Sequence, residues 1–207
     1  MSAAVVVTGT GTDVGKTVFA AGLTVALRAR YWKPVQAGLA PDSDSGTVAA
    51  LGVDSRQIVP EAYRLATPCS PHLAAEIDGV TIDPARLVPP AVDSALVIEG
   101  AGGALVPVTR ELLYADLFAR WALPVVVVAA TGLGTINHSL MTIEALRTRG
   151  VPILGVAFNG DPVEDSEAII ADLGKVRRLG RLPRLDPLNA DTLAAAFRAA
   201  FRLEDFA

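Results

Sequence analysis

Ala4-Val5-Val6-Val7-Thr8-Gly9-Thr10-Gly11-Thr12-Asp13-Val14-Gly15-Lys16-Thr17 is the stretch that decides the fold of this chain. A short β-branched run passes directly into a glycine-rich turn, and an Ala- and Leu-rich segment from Thr17 to Arg30 carries a helical pattern beyond it. Glycines let backbone N–H groups face an anion, and the start of the next helix favours negative charge. The order of these parts predicts a phosphate-binding loop. In it Lys16 reaches the terminal phosphates of a nucleotide and the Thr17 hydroxyl ligates Mg²⁺. The spacing departs from the usual pattern of four residues between the first glycine and Gly-Lys-Thr. Here Gly9 leaves five, and Thr10 holds the standard position.

Working outward, three more apolar runs resemble the first: Ala95-Leu96-Val97-Ile98, Pro124 to Ala129, and Ile153 to Phe158. Each is continuous rather than alternating, as expected for parallel strands covered on both faces. Leu112 to Trp121 and His138 to Arg149 place apolar residues at helical spacing. Strands alternating with helices predict an α/β fold with a doubly wound, mostly parallel sheet. The 207 residues contain no internal repeat or linker, so one domain over 1–207 is expected, and 51% apolar residues suffice for its core. The Pro-, Asp- and Ser-rich stretch from Ala40 to Gly46 is expected to be an active-site loop.

The net charge of −4 argues against a nucleic-acid or anionic-membrane partner, which needs clustered Lys and Arg. The one dense basic stretch, Lys175, Arg177, Arg178, Arg181 and Arg184, is expected to be a solvated helix end and loop. Cys69 is the only cysteine, which excludes an intrachain disulfide and disfavours a thiolate metal site. Neither a secretory-type N-terminal pattern nor an apolar run of membrane-spanning length occurs, so a cytoplasmic protein is expected.

Further motifs carry candidate chemistry. Trp32-Lys33-Pro34-Val35-Gln36-Ala37-Gly38 places a lysine at the end of the next strand, where an α/β sheet opens its ligand crevice. Leu96-Val97-Ile98-Glu99-Gly100-Ala101-Gly102-Gly103 ends an apolar strand in an acid, the arrangement in which a carboxylate meets Mg²⁺ beside the phosphate loop. In Asp42-Ser43-Asp44 either acid could reach that metal, though Asp and Ser before a helix are also ordinary caps. Gly134-Thr135-Ile136-Asn137 begins a helix and exposes N–H groups suited to an anion. Asn159-Gly160, a strong turn pair, ends the run from Ile153 to Phe158. His72, in Ser70-Pro71-His72, is expected to be structural.

Taken in order from Val7 to about Leu185, these motifs resemble the dethiobiotin synthetase family. The resemblance implies a P-loop NTPase type of fold and an ATP-dependent cyclo-ligase of biotin biosynthesis, acting on 7,8-diaminononanoate and CO2. It implies catalytic roles for Lys16 and Lys33, with Lys33 beside the reacting carbamate and γ-phosphate. ATP would be bound by Thr12, Asp13, Val14, Gly15, Lys16, Thr17 and Val18, by Glu99, Gly100, Ala101 and Gly102, and around the base by Asn159, Gly160, Pro183, Arg184 and Leu185. Mg²⁺ would lie on Thr17, Glu99 and Asp44, with Asp42 the alternative acid. Substrate would meet Thr12 and Ala37, and the turn Gly134, Thr135, Ile136 and Asn137 of a neighbouring subunit, which implies a homodimer. Two positions depart from the family: Ala37 stands where a hydroxyl residue is usual, and Gly160 where an acid is. A ParA- or MinD-like switch ATPase would share the loop and the acid, but normally has an extra lysine early in the loop. Here Gly11 holds that region and no lysine precedes Lys16. A larger amidoligase would normally carry a glutaminase domain, for which this chain is too short.

Overall fold

The computed structural model describes residues 4–40 and 42–206. Residues 1–3 and 207 of the expected domain, and Pro41 of the expected loop, lie outside the described residues. In chain order the elements are β1 (Ala4–Gly9), α1 (Lys16–Leu27), β2 (Arg30–Trp32), β3 (Val35–Ala37), α2 (Asp44–Ala50), β4 (Ile58–Val59), β5 (Tyr63–Leu65) and α3 (Pro71–Ile77). They continue as β6 (Leu96–Gly103), α4 (Tyr114–Trp121), β7 (Val125–Ala130), α5 (Thr135–Thr148), β8 (Ile153–Asn159), α6 (Glu164–Gly174), β9 (Arg178–Leu182) and α7 (Ala190–Ala200).

Seven strands form one parallel sheet in the order β4-β2-β6-β1-β7-β8-β9, and β3 pairs with β5 beside it. The continuous apolar runs follow from burial on both faces. Along β1, Val6 enters the core under α3, α4, α5 and α6, while Val5 and Val7 enter the core under α1, α2 and α7. In β7, Val125 and Val127 face the first core, and Val126 and Val128 the second. Because β6 and β7 lie on opposite sides of β1, the chain crosses over at the carboxyl end of β1, where such sheets bind ligands.

Several boundaries differ from the sequence expectations. The helix expected to reach Arg30 ends at Leu27: Arg28 turns left-handed at φ 50°, and the Ala29 N–H donates to Thr24 O at 2.9 Å before β2 begins. Helix α4 starts at Tyr114 rather than Leu112, since the Leu113 N–H donates to the Asp116 carboxylate at 2.9 Å. The loop expected to extend to Gly46 stops at Ser43, which caps α2 by accepting from the Gly46 N–H at 3.2 Å. The basic stretch is a solvated helix end and loop only in part: Lys175 at the end of α6, Arg177, and Arg184 after β9 are exposed. Arg178 and Arg181 belong to edge strand β9 and pair with Glu164 and the buried Glu167 of α6. At the opposite edge, β4 is only two residues long.

Helix α7 and the Phe-containing stretch after it close the second core. Phe197 and Phe201 pack on Phe19 of α1, with ring centroids 5.4 and 5.3 Å away. Gly22 makes this approach possible, because a Cβ there would lie 2.4 Å from Phe197 Cδ2. The Phe197 ring is fully buried and has nowhere to move. Gly22→Val is therefore expected to destabilise the fold by about 1–3 kcal/mol through overpacking. A lowered midpoint in urea denaturation would register it, and an unchanged midpoint would contradict this packing.

Candidate active site

The loop after β1 is held in an anion-receptive shape from below. Gly15 caps α1 at φ 85°, with no side chain closing the helix start, and Asp13 also has positive φ. Asn159, at the end of β8, donates through Nδ2 to Val14 O at 2.9 Å and Gly15 O at 3.0 Å. Any Cβ on Gly15 would sit 2.4 Å from that nitrogen, so this position requires glycine on two counts. Lys16 Nζ rests on Gly11 O at 2.7 Å, across the mouth of the loop. Burial lowers its pKa below the ordinary lysine value, although Glu99 pulls the other way.

Beside the loop lies a buried charge cluster. Thr17 Oγ1 is 3.0 Å from Asp44 Oδ1 and 2.8 Å from Glu99 Oε1. Lys33, only 3% exposed, donates to Glu99 Oε1 at 3.2 Å and Gly100 O at 3.0 Å, and also pairs with Asp44. Burial alone would lower the Lys33 pKa, but the Glu99 and Asp44 carboxylates outweigh it and hold the ammonium above its ordinary value. Burial would raise Asp44, and the Lys33 ammonium reverses this to hold it below the usual carboxylate range. Glu99, 1% exposed, has its second oxygen occupied by the Tyr31 hydroxyl at 2.8 Å. Asp44 is placed by Gln36, whose Oε1 accepts from the Asp44 N–H at 3.1 Å while its Nε2 donates to Gly38 O at 2.9 Å.

These groups line a cleft of about 760 Å³ at the carboxyl edge of the sheet. Of the expected nucleotide residues, Thr12, Asp13, Gly15, Lys16, Thr17, Val18, Glu99, Ala101 and Gly102 face it, as do Lys33, Ala37 and both Asp42 and Asp44. Of the two acids, Asp44 is the one that meets Thr17. Val14 and Gly100 stand behind the lining and act through backbone carbonyls, Val14 toward Asn159 and Gly100 toward Lys33. Glu99 does not end its strand as expected: β6 continues to Gly103, because its glycines can run beside Gly9 of β1. The Asn159 amide nitrogen is engaged by the loop, and its buried Oδ1 has no partner among the described residues. Gly160 joins the end of β9 through its N–H to Leu182 O at 3.0 Å, and Pro183, Arg184 and Leu185 follow directly. The Gly134–Asn137 turn lies outside this cleft: Gly134 begins α5 at φ 91°, Thr135 Oγ1 donates to Ala130 O, and Asn137 is exposed.

An all-oxygen set of one hydroxyl and two carboxylates suits a hard cation that keeps waters and phosphate oxygens as its remaining ligands. Among the described residues no group of three His, Cys, Asp or Glu could form a metal cage without such help. Motif spacing pointed to Lys33, Glu99 and the acidic loop. It missed Tyr31 and Gln36, because a tyrosine in a short apolar strand looks like core and a glutamine beside glycine like a turn.

A phosphate loop between β1 and α1, with an acid on the neighbouring parallel strand, defines a P-loop nucleotide-binding protein. Residues 3–192 match the AAA domain family. Over 95% of this chain and 98% of the other, the fold superposes on a ParA family ATPase from Chlorobium tepidum at TM-score 0.59 and 10% identity. The cell division ATPase MinD from Pyrococcus furiosus superposes at 0.56, with 16% identity, 96% of this chain and 98% of that one. At such identities the likeness is one of fold. Sequence is far more specific: an ATP-dependent dethiobiotin synthetase BioD from Rhizorhabdus wittichii is 67% identical over 100% of both chains. The enzyme of the same name from Novosphingobium aromaticivorans is 66% identical over 99% of each, and that from Agrobacterium fabrum 58% over 100% of this chain and 98% of its own. The chain belongs to the ATP-dependent dethiobiotin synthetase family, whose members are carbon–nitrogen ligases.

Removing the Lys33 charge leaves the buried Glu99 carboxylate unbalanced beside the partly exposed Asp44. Lys33→Met is expected to cost about 3–5 kcal/mol of stability in the metal-free protein. Adding Glu99→Gln to it should restore part of the loss. A double variant less stable than Lys33→Met would show that the lysine is not there to balance Glu99.

Proposed function

We propose that this chain forms dethiobiotin from 7,8-diaminononanoate, CO2 and ATP, with the whole chain serving as one catalytic domain in the cytoplasm. One amine of the substrate attacks CO2 and loses a proton, giving a carbamate. A carbamate oxygen attacks the γ-phosphorus and displaces ADP, forming a carbamic–phosphoric anhydride. The second amine then attacks the carbamate carbon, expels phosphate and loses a proton as the ring closes. The substrate oxygen is the nucleophile, so no activated Ser, Cys or His is required.

The observation that carries this reading is the convergence of two lysines from different elements on one cleft, Lys16 from the loop and Lys33 from the end of β2. The triphosphate and the carbamate bring several negative charges together, and preorganised cations and loop N–H groups oppose them. Nucleotide binding would transfer Lys16 from Gly11 O to the phosphates. Lys33, kept protonated by its carboxylates, would hold the carbamate oxygen against the γ-phosphate. Thr17, Asp44 and Glu99 would hold Mg²⁺, which when bound neutralises phosphate charge. The unpartnered Asn159 Oδ1 suits the adenine amino group, with Gly160 and the Pro183–Leu185 segment beside it. Thr12 and Ala37 would border the diamine, with Ala37 contributing no hydrogen bond to it.

The substrate carboxylate would be held by the N–H groups of Gly134–Asn137 from a second copy. In support, that turn lies off its own chain's cleft and is flanked by the fully exposed Leu133 and the 57%-exposed Met141.

Phosphate release from MgATP and bicarbonate should depend on the diamine, with dethiobiotin detected by mass spectrometry and lost in Lys33→Ala. Hydrolysis indifferent to the diamine would refute the reading. For the dimer, Lys33→Ala and the bulky Asn137→Trp should each be inactive alone. A 1:1 mixture after subunit exchange should recover about a quarter of native activity, since half the dimers carry one intact shared site. No recovery would place the substrate within one chain.

A further inference from the structure

The proposed metal site uses one oxygen of Glu99, yet both oxygens are buried and a carboxylate at 1% exposure needs donors on each. Oε1 already accepts from Thr17 Oγ1 and Lys33 Nζ, at 2.8 and 3.2 Å. Oε2 is reached by the Tyr31 hydroxyl at 2.8 Å, from a ring that is itself fully buried. Strand pairing builds this contact. β2 lies beside β6 with Tyr31 opposite Val97, and Glu99, two residues further on, projects to the same face of the sheet.

We propose that Tyr31 is a positioning residue for the metal-binding carboxylate, assigning Glu99 Oε2 to the sheet and leaving Oε1 for Thr17 and a divalent cation. A phenol has a single proton to donate, so it selects one oxygen and fixes the rotation of the carboxylate about its last bond. Without it, Oε2 becomes a buried acceptor with no donor, while the Lys33 ammonium already stands 3.2 Å from Oε1 of the same carboxylate. The carboxylate would then turn to give Lys33 both oxygens. Metal binding would weaken, because the cation must compete with a two-point ion pair for a carboxylate no longer aimed at it. The inference rests on Glu99 being a metal ligand, and adds that its aim is set from outside the motifs.

The test is a Mn²⁺ titration of the full-length chain followed by electron paramagnetic resonance, with and without ADP, on the native protein, Tyr31→Phe and Glu99→Gln. Metal-free ADP affinity is measured in parallel as a check on the loop. Tyr31→Phe should bind metal-free ADP like the native protein but bind Mn²⁺ roughly tenfold more weakly, the scale seen when a ligand's orienting hydrogen bond is removed. Native Mn²⁺ affinity in Tyr31→Phe would overturn the inference, as would a parallel loss of metal-free ADP binding, which marks a structural role. If Glu99→Gln binds Mn²⁺ as tightly as the native protein, the metal reading itself fails, a result distinct from either Tyr31 outcome.

Discussion

Everything at the working end of this protein depends on a buried lysine held between two carboxylates. Moving an ammonium out of water is costly, and Lys33 is tolerated only because Glu99 and Asp44 meet it directly. The same lysine makes the acids tolerable, since Glu99 and Asp44 meet at one hydroxyl and would otherwise repel. Three separate elements are tied together: the end of β2, the start of α2 and, far along the chain, the middle of β6. The Lys33 ammonium acts as an internal cation that holds the two carboxylates in place.

The central sheet was legible in the sequence because its strands are buried on both faces and appear as unbroken apolar runs. β1, β6, β7 and β8 were visible in this way. β2 was placed only by the motif that ends it, and β4 and β9 went unread, each for a physical reason. β2 and β4 are too short to show a pattern, and β9 sits at an edge where Arg178 and Arg181 break the apolar run. Helix α7 was missed because its significance is tertiary: Phe197 matters only through Gly22 on another helix. The end of α1 was misplaced because Arg28 is left-handed, a conformation that a composition of good helix formers does not announce.

At the site, the residues whose backbone context is local were the readable ones. Lys16 and Thr17 follow from the glycine loop, and Lys33 and Glu99 from their strands. Residues that act by holding others lay beyond reach. Gln36 sets the start of α2 through a contact eight residues away, and Asn159 supports the loop across 144 residues of chain. Which of Asp42 and Asp44 meets Thr17 also needed coordinates, because it turns on which acid begins the helix. The neighbours in fold and the neighbours in sequence divide the problem in the same way. The fold is common to ParA, MinD and this chain, whereas the family is set by identity that runs over the whole chain.

The two margins of the sheet bear on how copies of this molecule can meet. One edge strand has only two residues, and the other carries arginines tethered to α6 together with a glycine, Gly180, whose would-be Cβ lies 2.2 Å from Ala200 O. Neither margin offers a flat row of free backbone groups to another strand. Growth by stacking sheet onto sheet is thereby discouraged at both ends, which guards an apolar chain against ribbon-like aggregation. Association is left to the helical and loop surfaces, where side chains rather than backbone hydrogen bonds decide the partner.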